Sequence, residues 1–116
     1  MASERRLEKL NILIKEELAL ILEREIEFPQ NTLVTITKVV TSHDMYYAQV
    51  LISVLGDKTK EALEILSKNI YHIQQRVNKK LRIRPVPKIR FEPDEGEAKR
   101  EIVESSLAEL KKKKEI

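Results

Sequence analysis

Leu7, Leu10, Ile14, Leu18 and Ile21 step along the chain by three and four, the spacing that gathers side chains on one face of a helix. Leu13 and Leu20 are expected to widen that face, and Ser3 stands where a helix cap belongs. Proline disfavours helical backbone in the residue ahead of it, so the helix should end before Phe28-Pro29-Gln30-Asn31. A core-facing helix of about 22 residues is predicted.

The pattern then changes period. Leu33 to Thr41 is rich in Val, Ile and Thr, and Met45 to Leu55 continues in that style after a break at Ser42-His43-Asp44, which predicts an antiparallel hairpin. In its second strand Tyr46, Ala48, Val50, Ile52 and Val54 share one face and Tyr47, Gln49, Leu51 and Ser53 the other; the first set suits the buried side. Gly56-Asp57 ends the hairpin, and Asp57 or Thr59 is placed to cap the next helix. There Ala62, Leu66, Ile70, Ile73, Val77 and Leu81 form a second apolar stripe, with Lys68, His72, Arg76 and Lys79 projected on the opposite side, towards solvent. Pro85 and Pro87 forbid continuation, and Lys88-Ile89-Arg90-Phe91 alternates like a short strand with Ile89 and Phe91 inward.

Two amphipathic helical segments, a hairpin and a last strand are buried most economically as an α+β layer, a three-stranded sheet covered on one face by helices. One domain over residues 1–94 is expected, followed by a charged tail, 95–116, in which 97–115 is either a loose helix or disordered. At 116 residues there is room for one core and no more.

Charge sharpens this picture. Between Glu64 and Glu92 lie 27 residues without an Asp or Glu, where the chain's average would place about four. The window holds Lys68, Arg76, Lys79, Lys80, Arg82, Arg84, Lys88 and Arg90, so it carries +8 while the whole chain carries only +3. A solvated surface usually mixes signs; one from which acids are excluded over several turns suits phosphates. If about four of these cations each neutralise one phosphate, affinity should fall roughly a hundredfold between 50 and 200 mM salt.

Other chemistry is weakly supported. The chain has no cysteine, hence no disulfide frame and no thiolate nucleophile or metal ligand, and its two glycines cannot build a phosphate cradle. His43 beside Asp44 is best taken as a turn pair and His72 as a surface residue, since neither has a second histidine at metal spacing. No convergent nucleophile, base and oxyanion site supports a hydrolase. Among the five aromatics, Tyr47 and Tyr71 are the candidates to stack on a base, although packing of each ring against a neighbour is the commoner outcome. Recognition of a folded RNA through backbone and shape is therefore favoured over base reading. The run Lys111 to Lys114 is explained equally by phosphate attraction and by solubility. No membrane span or signal-peptide layout is present, and a cytoplasmic location is expected.

Three stretches carry a resemblance: Val34-Thr-Ile-Thr-Lys-Val-Val-Thr-Ser-His-Asp44, then Ala48 and Val50 to Gly56, then Leu81-Arg-Ile-Arg-Pro-Val-Pro-Lys-Ile-Arg-Phe-Glu-Pro-Asp94. Their order and spacing over residues 5–94 resemble the ribosome-binding factor A family of bacterial small-subunit assembly factors. The resemblance implies a type II KH-like fold in the order helix, strand, strand, helix, helix, strand. It also implies a non-enzymatic monomer, without a cofactor, that binds the immature small ribosomal subunit and its ribosomal RNA. Where that family carries an Ala-x-Gly kink between two helices, the corresponding residues here are Asn69, Ile70 and Tyr71. Phosphate contacts are expected from the eight basic residues of the window, with Arg5 and Arg6 as further candidates. A general KH-type RNA-binding module or chaperone is the alternative reading.

Overall fold

The computed structural model describes residues 3–95. Helix α1 spans Glu4–Glu25, strands β1 and β2 span Leu33–Thr41 and Tyr47–Leu55, helices α2 and α3 span Thr59–Lys68 and Ile70–Lys80, and β3 spans Lys88–Pro93. The sheet order is β1-β2-β3, with β2 antiparallel to β1 and parallel to β3. The parallel pairing requires a crossover, and α2 and α3 provide it, so all three helices cover one face of the sheet. This is the expected α+β layer. Residues 97–115 and Lys111 to Lys114 lie outside the described residues.

The Ser3 hydroxyl accepts a hydrogen bond from the Arg6 backbone N–H and caps α1. Leu7, Leu10, Ile14, Leu18 and Ile21 are buried as their spacing requires, but it is Leu22 that joins them. Leu13 and Leu20, expected in the same face, are 50% and 40% exposed. They stand seven residues apart on a flank beyond the reach of so narrow a sheet. The α1 face packs against β1 and α3, and its centre, Ile14 and Leu18, meets the inward Val50 and Ile52 and the helical Leu66, Ile73 and Val77 in a single core.

The buried side of β2 carries Ala48, Val50 and Ile52, with Val54 partly covered. Tyr46 does not belong to that set: it precedes the strand and is 62% exposed. The cause is the turn, which places Met45 in left-handed backbone at φ 65° and ties Tyr46 N–H to Asp44 Oδ1 at 3.0 Å. In β1 the pairing shifts by one between Ile36 and Lys38, so Thr37 is an extra residue. The bulge lets Val34 and Ile36 face the core before it and Val39 and Thr41 after it, although their spacing breaks strict alternation.

Gly56 has φ 102° at the close of the hairpin, and a Cβ there would stand 2.5 Å from the Asn31 carbonyl oxygen. Asp57 also has positive φ, 61°, and stands one residue before the cap position. Lys58 is the N-cap of α2, without a side-chain bond, and Thr59 is already helical; neither expected cap forms.

Candidate RNA-binding surface

The second helical stripe is broken in two at Asn69. This residue has φ −102° and ψ 9°, outside both helices, and its Nδ2 donates to the Ile65 carbonyl at 2.8 Å while its backbone N–H points at Ile65 O and Leu66 O. The side-chain amide thus adds a second donor to a carbonyl that the Asn69 backbone N–H already reaches, fastening the residue to the last turn of α2. Ile70 starts α3, and the Tyr71 ring, 76% exposed, stays clear of the bend.

Because of the break, helical phase carries only within each half. Lys68 ends α2 in solvent, and Lys79 and Lys80 end α3 in solvent. Arg76 is different. Instead of facing outward, its Nε and one terminal nitrogen each lie 3.0 Å from Glu25 Oε2, at the end of α1. His72, expected as a plain surface residue, brings Nε2 to 2.6 Å from Oε1 of the same carboxylate. The hydrogen bond from His72 is the largest influence on Glu25 and lowers its pKa below the ordinary 4.5; partial burial opposes the shift and Arg76 adds to it. An ionised carboxylate only accepts, so the imidazole nitrogen donates. Nothing in the local sequence around Glu25 announces this pairing, since its partners lie 47 and 51 residues away.

Arg82 is exposed, and the Arg84 guanidinium donates to the carbonyls of Leu81 and Ile83 at 2.9 and 2.7 Å, which sets its direction while leaving it exposed. Gln74 fixes the following strand: its Nε2 donates to Pro87 O at 3.1 Å and its Oε1 accepts from Ile89 N–H at 2.9 Å. Sequence reasoning passed over Gln74, for polar residues at half-buried flanks leave no periodic signal. Ile89 is buried, so Lys88 and Arg90, one position to either side, project from the open face of the sheet. Arg90 lies over the Tyr47 ring, 3.8 Å from its centroid, and Gln49 Nε2 donates to Glu92 Oε1 at 2.7 Å beside it. The basic residues therefore form two groups on opposite sides of the sheet, one helical and one on the strand. Arg5 and Arg6 are exposed in the first turn of α1, near the end of the molecule where Asn11 Oδ1 accepts from Thr41 N–H and hydroxyl.

Of the eight window cations, Arg76 alone pairs with a carboxylate among the described residues.

The family model described as ribosome-binding factor A matches residues 6–107. The chain belongs to the ribosome-binding factor A family. A relative from Thermodesulfovibrio yellowstonii is 33% identical over 116 residues, spanning 99% of this chain and 98% of its own, and one from Natranaerobius thermophilus is 38% identical over 93 residues, spanning 78% and 71%. Both carry the name ribosome-binding factor A. Among solved structures, a putative ribosome-binding factor A from Thermotoga maritima superposes with a TM-score of 0.66 at 31% identity, covering 79% of this chain and 90% of that one. A Thermus thermophilus ribosome-binding factor A, fitted as a homology model into a cryo-EM map of a 30S complex, gives 0.64 at 25% identity, covering 72% and 90%. The family fold and the order of elements read from the sequence agree.

Proposed function

We propose that this protein is a non-catalytic assembly factor that binds the ribosomal RNA of the immature small ribosomal subunit in the cytoplasm, acting as a monomer. The observation that carries the reading is the set of exposed cations Lys68, Lys79, Lys80 and Arg82, at or just past the ends of two short helices in a window without acids and with no carboxylate partner among the described residues. Family membership and the relative fitted into a 30S complex support the ribosome as the partner of such a surface. A factor that binds one RNA conformation better than another shifts the population towards it without chemistry. Lys88, Arg90 and Arg84 are further phosphate contacts in this reading, and Arg5 and Arg6 weaker ones.

The test is co-sedimentation with immature small subunits. Lys68→Glu, Lys79→Glu and Lys80→Glu together should abolish it while the thermal melt stays within a few degrees of the wild type, because none of the three supports a packed contact. Arg76 is left out of this variant, since reversing its charge would set two carboxylates against each other at Glu25. Retained co-sedimentation would overturn the assignment of the helical surface.

A further inference from the structure

We infer that a pocket at the turn end of the sheet takes a single unpaired nucleobase of RNA, held against Tyr46 and Tyr47 with Lys88 at its phosphate. The inference rests on the RNA-binding reading above but assigns a second site, away from the helical cations. The pocket has a volume of about 280 Å³ and is lined by Met45, Tyr46, Tyr47, Pro85, Val86 and Lys88. Sites for drug-sized ligands begin at about 300 Å³, so this one suits a single heterocycle.

Three features select the occupant. First, two of the chain's three tyrosines stand side by side here, and Tyr46 keeps 62% of its surface open instead of packing on the core. Second, the backbone under them is already ordered. Tyr46 N–H donates to Asp44 Oδ1 and Tyr47 N–H to Ser42 Oγ, while the Tyr46 carbonyl accepts from Lys88 N–H and the Tyr47 carbonyl from Ser42 N–H. All four polar groups of the dipeptide are engaged, so little ordering entropy remains to be lost when a ring stacks on it. Third, cations lie at the site: Lys88 lines the pocket, and Arg90 lies against Tyr47. The nearby carboxylate, Asp44, is turned into the loop by the Ser42 hydroxyl at 2.6 Å and the Tyr46 amide. An aromatic platform beside positive charge suits a base with its phosphate better than an apolar peptide, because stacking tolerates any base and the cation takes the backbone.

The chain has no tryptophan, so tyrosine emission reports the pocket directly. In a Tyr71→Phe background, a single-stranded uridine or adenosine oligomer of about ten nucleotides should quench that emission, and Tyr46→Ala should weaken its binding roughly tenfold while Tyr46→Phe restores it. Binding of a blunt RNA duplex should be unchanged in Tyr46→Ala and lost in the Lys68, Lys79, Lys80 triple variant. Equal single-strand affinity in Tyr46→Ala and wild type overturns the pocket. So does a wild type that binds duplex but no single strand, which leaves the helical surface standing. A wild type that binds neither RNA nor small subunits overturns the functional reading itself. Loss of small-subunit binding in Tyr46→Ala with intact single-strand affinity would assign the pocket to a protein side chain and overturn the nucleobase.

Discussion

Glu25 is the residue on which the helical surface turns, because its carboxylate occupies Arg76 in the way a phosphate would. Replacing it by glutamine keeps the shape and removes the competing charge. Glu25→Gln should therefore bind RNA more tightly at low salt, and the slope of log affinity against log salt should steepen by about 0.9, the increment for one more neutralised phosphate. Identical slopes, measured by fluorescence anisotropy across a potassium chloride series, would show that Arg76 never meets RNA. The same carboxylate sets part of the acid limit of the fold. Glu25 and Asp44 are both held below their ordinary values of 4.5 and 3.8, Asp44 chiefly by the Ser42 hydroxyl. The stabilisation of a depressed carboxyl is complete above its ordinary value and is lost as pH falls through the lowered one. The melting temperature of the wild type should thus drop more steeply than that of Glu25→Gln on acidification below pH 4.5. Parallel curves would contradict this. Gly56→Ala is expected to cost about 2 kcal/mol or more by chemical denaturation, since it combines positive φ with a clash on backbone that cannot yield.

At the scale of elements, periodic apolar positions were legible and one-residue irregularities were not. The α1 stripe, the hairpin and the return strand follow from spacing because burial of one face is a sum over many side chains, and a single exception does not alter it. Thr37 is such an exception: a bulge inserts one residue, the phase of β1 flips, and no turn former marks the place. Its hydroxyl donates to Asp94 Oδ2 at 2.7 Å and lies 3.2 Å from Leu51 O, contacts 57 and 14 residues apart in sequence that no local pattern encodes. Asn69 is a different case: the apolar stripe runs on through Ile70, and only the correspondence with the family's kink marks the break. Asn69→Ala removes the bond to Ile65 O and should cost about 1 kcal/mol. At the core, Ile14 is fully buried between α1 and the sheet, and Ile14→Ala should cost about 2–5 kcal/mol in urea unfolding. Of the candidate site, the charge excess was legible because composition alone reports it. Which cations share a side was not, since that depends on the break at Asn69 and on the open face from which Lys88 and Arg90 project.

Across the whole molecule, the helical cations and the strand cations lie on opposite sides of a sheet one layer thick. An RNA that touches both must pass around an edge or an end of the domain. The turn end, where Tyr46 and Lys88 meet, is one such passage. The sheet itself is completed by β3, the last strand in the described chain, which pairs in parallel along Tyr47 to Ile52 of the central strand. Until residues 88–93 have been synthesised, that stretch of β2 has no partner on one side, and its row of amide and carbonyl groups is open to any passing strand. Nascent chains stalled before Lys88 should therefore be sticky and protease-sensitive however complete their helices. Competence arrives abruptly, with the final six residues of the sheet.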